Sequence, residues 1–109
     1  MGILDDFIAG LEGFEWDAGN SDKNWRRHEV RQAEAEQALL NRPLVLAVAL
    51  KHTAKESRFL AFGRTDAARQ LAVVFTVRAH RIRVISARPL GRAERKVYGQ
   101  AEARFESNS

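Results

Sequence analysis

At 109 residues the chain has room for one domain with one modest hydrophobic core, and none for a cofactor domain beside a substrate domain. It is 45% hydrophobic and 29% charged, which excludes a disordered chain, and the absence of cysteine excludes disulfides, thiolate zinc sites and cysteine nucleophiles. The formal net charge of +4 hides an uneven spread: residues 1–17 carry five acids and no lysine or arginine, so the rest holds all 18 basic residues against nine acids, a net of +9. Such a field suits a phosphate backbone or an acidic protein partner, and composition does not choose between them.

No apolar run approaches the about 18 residues of a membrane span, and Met1-Gly2-Ile3-Leu4-Asp5-Asp6 places acids where a secretory signal needs basic residues. The sequence reads as a soluble cytoplasmic protein with no membrane contact.

Residues 1–13 read as a lead-in, since Gly10 and Gly13 interrupt the helical spacing of Phe7, Ile8 and Leu11. Phe14-Glu15-Trp16 suits a short strand entering the domain, and Asp17 a helix cap. Helices are expected over 18–30 and 31–41; Ala35, Ala38 and Leu39 supply the apolar face of the second, which Asn41-Arg42-Pro43 ends. Leu44–Leu50 reads as a strand and Lys51–Lys55 as a loop. Residues 56–63 then alternate, with Phe59, Ala61 and Gly63 on one side and Arg58, Leu60 and Phe62 on the other. Gly63-Arg64-Thr65-Asp66 reads as a turn. Leu71, Val73, Phe75 and Val77 alternate with Ala72, Val74 and Thr76, and Ile82–Ala87 follows as the last strand. Connections this short imply antiparallel hairpins. Pro89 ends the sheet, and Ala93, Val97 and Ala101 mark a final helix. The expected fold is α+β, an antiparallel sheet of four to five strands with two N-terminal helices and one C-terminal helix. The single domain spans 14–105 and a loose tail spans 106–109.

No phosphate loop, dinucleotide fingerprint, HExxH or GxSxG occurs. His28, His52 and His80 are scattered and lack metal-ligand spacing, so no metal and no cofactor is expected. The informative feature is the stretch from Arg78 to Lys96, where Arg81, Arg83, Arg88, Arg92 and Arg95 face only Glu94. Strict alternation puts Arg81 and Arg83 on one strand face, Ser86 and Arg88 on the other. Each arginine alone is a solvated side chain over apolar neighbours; together they can line a groove for a polyanion. Glu56 and Arg58 share a strand face, either as an exposed ion pair or as a carboxylate held by a cation and able to act as a base. His28 and His52 are the remaining groups able to move a proton near neutral pH. Phe14, Trp16 and Trp25 read as core.

These residues carry a resemblance. Phe14-Glu15-Trp16-Asp17, Lys23-Asn24, Arg27-His28, Asn41-Arg42-Pro43, Lys51-His52, Glu56-Ser57-Arg58, Gly63-Arg64-Thr65, Ile82-Arg83-Val84-Ile85-Ser86-Ala87-Arg88 and Glu94-Arg95 followed by Tyr98, in this order, resemble the BrnT family of bacterial type II toxins. The resemblance implies a RelE-like fold, a ribonuclease that arrests growth, and a BrnA-like ribbon-helix-helix antitoxin. It implies a heterotetramer of two toxins and two antitoxins, which meets operator DNA only through the antitoxin. The chain departs from the pattern at Glu29, where glycine would supply a left-handed helix end, and at Ala49, near where an acid is often found.

Cleavage through the ribose 2′-hydroxyl needs alignment, a base, charge neutralisation at phosphorus and a proton for the 5′-oxygen. The expected assignment makes Arg83 and Arg88 competing phosphate clamps and Glu56 the base, with His28 or His52 as base or acid. Lys23, Arg58, Arg81 and Arg92 bind RNA. Two other readings stay open: a nucleic-acid-binding module without catalysis, and a degenerate toxin that only holds its antitoxin.

Overall fold

The computed structural model describes residues 11–17, 27–52 and 57–108, with the side chains of 48–52 outside that description. The sequence expectations for Trp25, Lys23 and Glu56, and for most of the helix over 18–30, fall outside it; residues 27 and 28 are helical.

The elements are β1 (Phe14–Glu15), α1 (Gln32–Leu40), β2 (Val45–His52), β3 (Ser57–Arg64), β4 (Gln70–Arg78), β5 (Arg81–Pro89) and α2 (Arg92–Ser107). They form one five-stranded sheet in the order β1-β5-β4-β3-β2. The hairpins β2–β3, β3–β4 and β4–β5 are antiparallel, as their short connections require. β1 lies parallel to β5, so the sheet is mixed rather than antiparallel. A long segment containing α1 separates β1 from its partner, which removes the hairpin constraint. Among the described residues there are two helices, not three.

The alternation read over β3 and β4 holds. Phe59, Ala61, Leu71, Val73, Phe75, Ile82, Val84 and Ala87 form one core face, which α1 covers with Ala35, Ala38 and Leu39. α1 can sit this close because residue 63 is glycine: a Cβ there would overlap the Ala38 carbonyl. Gly63 and Arg64 are therefore strand, not turn, and the chain reverses at 66–67. Lys51 and His52 likewise extend β2 rather than opening a loop. The opposite sheet face carries Phe62 and Ala72, which with Leu90 pack against Tyr98 of α2.

The buried residue of α2 is Tyr98, while Val97 is 49% exposed, so the helix turns a different side inward from the one its alanines suggested. The Tyr98 hydroxyl donates to the Pro43 carbonyl at 2.7 Å, which gives the buried polar atom a partner. Burial pushes its phenol up to about 12. Arg64 Nη1 meets Glu102 Oε2 at 2.9 Å and adds a second tether. α2 runs to Ser107, two residues into the stretch read as a loose tail.

The start of α2 is set by Glu94. It accepts from the Gly91 N–H at 2.7 Å and from both Nη atoms of Arg88, at 2.6 and 2.8 Å. The Arg88 bond is the main cause that holds the Glu94 carboxyl at about 2. The departure at Glu29 also has a structural counterpart. Glu29 has φ +54°, the left-handed conformation that glycine would take without a Cβ penalty. Arg69 compensates, donating to the carbonyls of Glu29 at 2.8 Å and His28 at 3.0 Å.

Three outcomes follow from this packing. Gly63→Ala lowers unfolding free energy by about 3 kcal/mol in denaturant melts, since backbone must move to admit the methyl. Glu29→Gly raises it by about 0.5–1 kcal/mol by relieving the left-handed strain. Glu94 is held below its unfolded value, so its contribution is present above about pH 4.5 and fades as pH falls towards about 2. Melts across that window lose about 1–2 kcal/mol, discounted for the partly exposed Arg88, and a Glu94→Gln variant lacks that loss.

Candidate nucleic-acid interface

Among the described residues, only half of the second sheet face is covered. α2 closes the end that carries Phe62 and Ala72; the end toward the β4–β5 turn carries charge instead. Cross-strand register lines up Arg58 on β3, Thr76 on β4, Arg83 on β5 and Glu15 on β1 in one row. Paired residues in a sheet project to the same face, and neighbouring strands are about 4.8 Å apart. Lys51 is the backbone partner of Arg58 and continues the row onto β2. One step further along, Arg78 pairs with Arg81. Four arginines from three strands thus share a surface over which no described element packs. Thr76 at its centre is buried and donates its hydroxyl to the Ser57 carbonyl at 2.7 Å, locking the floor of the row.

Arg83 and Arg88 share a face, against the alternation expected of them. Val74 pairs with Ser86 and Phe75 with Val84, which leaves Ile85 as an extra residue. This β-bulge resets the side-chain period, so Arg81, Arg83, Ser86 and Arg88 all stand on the face opposite Ile82, Val84 and Ala87. The two arginines remain separated along the strand: Arg83 opposes Thr76 and Arg88 opposes Ala72, about 13 Å of β4.

Both arginines are held by carboxylates. Arg83 Nη1 lies 3.1 Å from Glu15 Oε1 and 2.9 Å from Asp17 Oδ2, and Nη2 lies 3.2 Å from Asp17 Oδ1. Bonding to Asp17, against partial desolvation and with help from Glu15, pushes the Arg83 guanidinium up from its ordinary value. Glu94 does the same for Arg88. Arg58, Arg81 and Arg92 are exposed and, among the described residues, have no hydrogen bond or ion pair. Arg92 opens α2, beside the Arg88–Glu94 pair and away from the row.

The other sequence candidates fall as follows. His52 pairs with Ser57 at the end of the β2–β3 hairpin, next to Arg58 in the chain, with its side chain outside the description. Glu56 directly precedes β3, and its position, like that of Lys23, is outside the description. His28 is not brought to the row: its carbonyl is bound by Arg69, which lies seven residues from Thr76, about 23 Å of strand. Ala49 pairs with Phe59. Trp16 packs on the core beneath α1, its indole N–H donating to Glu36 at 2.8 Å.

The sequence reading missed Glu15, Asp17 and Arg78. Glu15 stood between two aromatics read as core and Asp17 read as a helix cap, and the only available signal was that the acid-rich lead-in precedes an otherwise basic chain.

Several motifs turn out to build the frame. Asn41 Nδ2 donates to the Arg64 carbonyl at 3.0 Å and to Asp66 Oδ1 at 2.9 Å, and Arg64 Nε donates to the Arg42 carbonyl at 2.9 Å. These groups line an open hollow of about 420 Å³ whose polar atoms largely satisfy one another. Among the described residues no three of His, Asp and Glu gather in a way that could hold a metal ion.

The comparisons add one finding. No curated protein matches the chain. Residues 16–94, which run from the Trp16 that follows β1 to the Glu94 that fixes Arg88, match the family described as the ribonuclease toxin BrnT of type II toxin–antitoxin systems. That stretch holds the four antiparallel strands β2–β5, the arginines of the row and most of the framing contacts, and it covers well over half the chain: the protein belongs to the BrnT family of ribonuclease toxins.

Proposed function

We propose that the arginine-bearing end of this sheet face, over which no described element packs, is the surface on which this toxin holds and cleaves RNA. The observation that carries the reading is the row Arg58–Thr76–Arg83 with Arg78 and Arg81 beside it. Rigid guanidinium forks on a strand scaffold suit a phosphodiester, and they neutralise charge at phosphorus in the transition state without a metal. The reaction is endonucleolytic attack of the ribose 2′-hydroxyl, which leaves a 2′,3′-cyclic phosphate. Arg83 and Arg58 clamp the scissile phosphate, Arg81 and Lys23 bind flanking phosphates, and Arg88 with Arg92 forms a second contact point at the start of α2. Glu56 and the imidazoles of His52 and His28 remain the proton-transfer groups named by the sequence. His52 ends β2 and Glu56 immediately precedes, in the chain, the strand that carries Arg58; the backbone of His28 does not lie near the row.

The physiological setting of this reading is a RelE-like toxin in the cytoplasm, neutralised by a BrnA-like ribbon-helix-helix antitoxin in a two-plus-two complex that meets operator DNA through the antitoxin alone. Among the described residues no helix is long and apolar enough to cross a membrane.

One observation favours a second reading, a degenerate toxin that only holds its antitoxin: Arg83 and Arg88 are both engaged by carboxylates, as an acidic partner segment would engage them. Induced expression separates the two. With a cutting toxin, Arg58→Ala and Arg83→Ala each reduce RNA cleavage by about 10²-fold or more, measured by mapping RNA ends in the presence of EDTA, and relieve growth arrest. The salt slope of RNA binding falls by about 0.7 for each lost contact. Unchanged cleavage and toxicity in both variants overturns the mechanism; a wild type that binds RNA without cleaved product is a nucleic-acid-binding module, and one that ignores RNA but holds an acidic partner segment is the degenerate toxin.

A further inference from the structure

We infer that the band of sheet between the arginine row and α2 is the subsite for the base next to the scissile phosphate, and that the Ser86 hydroxyl reads that base; the inference rests on the ribonuclease reading above. One step along the strands from the row Arg58–Thr76–Arg83, register lines up Leu60 on β3, Val74 on β4 and Ser86 on β5. The step from Arg58 to Leu60 is two residues, about 6.8 Å of strand, so both stand on the same sheet face. All three side chains of the band stay partly exposed, so α2 does not seal them. Ser86 is polar in an otherwise apolar band, and the β-bulge at Ile85 is what puts it on this face, between Arg83 and Arg88. Among the described residues its hydroxyl has no hydrogen bond, whereas Thr76 in the neighbouring row commits its hydroxyl to the Ser57 carbonyl. Ser86 is thus open to an arriving ligand as donor and as acceptor. The far wall of the band is α2. Tyr98 faces the sheet, and Glu102, about 40° further round the helix, bonds to Arg64 and Gln70 at the end of β3 and β4 away from the row. Val97, about 100° round in the opposite sense, therefore looks toward the band, and it is 49% exposed. An apolar floor and wall with one two-way hydroxyl fit a flat, uncharged ring with polar groups at its edge. Single-stranded RNA offers such rings splayed from the backbone, and a serine hydroxyl can pair with a base edge. Continuity with the row selects this occupant: a phosphate held by Arg58 and Arg83 sets its own base one row further, over Leu60 and Val74. The band itself carries no cation for an acidic peptide to meet.

The test uses the full chain and a single-stranded RNA randomised in sequence, with the cut ends mapped and kcat/KM then measured on four short RNAs that differ only in the base beside the cut. The wild type prefers one base at that position by about fivefold or more, the worth of one neutral hydrogen bond. Ser86→Ala lowers the ratio between the best and the worst base by about fivefold, and Ser86→Thr, which keeps a hydroxyl, restores it. Matching thermal melts for both variants exclude misfolding. A Ser86→Ala variant that keeps the wild-type ratio overturns the inference, as does an equal loss in Ser86→Thr, which assigns the effect to packing. A wild type that cuts without preference beside the cut also overturns it, while cleavage that still depends on Arg58 and Arg83 leaves the ribonuclease reading standing. If the wild-type chain does not cleave RNA at all, that reading fails and the inference falls with it.

Discussion

Strand β5 must bury Ile82, Val84 and Ala87 against the core beneath α1, and these positions are spaced by two and then by three. A strand of regular period cannot put all three on one face. The chain resolves the conflict with the extra residue Ile85, which lets Ala87 return to the core opposite Val73. The arrangement of charge depends on that choice. Once the period is reset, Ser86 and Arg88 leave the face they would otherwise occupy and join Arg81 and Arg83. Hydrophobic burial, worth about 25 cal/mol per Å², thus decides where the guanidinium groups go, and all four polar residues end on the side the core does not need.

With a net charge of +9 over residues 18–109, this small domain must keep its cations apart. Several arginines have been given structural work. Arg64 ties β3 to α2, Arg69 completes a strained helix end, and Arg88 holds the start of α2 through Glu94. Arg58 and Arg81 stay exposed and without a described partner at the other end of the sheet. Arg83 falls between the groups, half covered by acids contributed from the only acid-rich part of the chain. The parallel addition of β1 therefore does two jobs. It extends the sheet past β5, and it delivers carboxylates to an arginine that would otherwise stand open.

Strain collects at chain reversals rather than in the core. Glu29, Ala68, Ala79 and His80 all adopt positive φ without being glycine. Ala79 and His80 form the two-residue turn between β4 and β5, where the twist of the strands demands left-handed residues and Asn-Gly is the usual solution. That turn borders the arginine row, and the His80 carbonyl accepts the Glu12 N–H at 2.6 Å. A locally unfavourable turn kept beside a charged surface fits the general pattern in which local rules give way near functional sites.

Much of this was open to reading along the chain. The faces of β3 and β4, the apolar side of α1, the end of the sheet at Pro89 and the hairpin order all follow from period and punctuation, because those segments obey one period throughout. The same holds for the basic bias and for the order of motifs that mark a BrnT toxin. What the sequence could not decide depends on contacts between distant residues. The parallel pairing of β1, the bulge at Ile85, the inward turn of Tyr98 rather than Val97 and the capture of Arg83 by Glu15 and Asp17 each arise from packing partners far away in the chain. A one-residue slip moves a side chain across a sheet, and an ion pair forms only where two backbones are already fixed. Residue order therefore determined which groups the molecule has, and tertiary structure alone determined which of them meet.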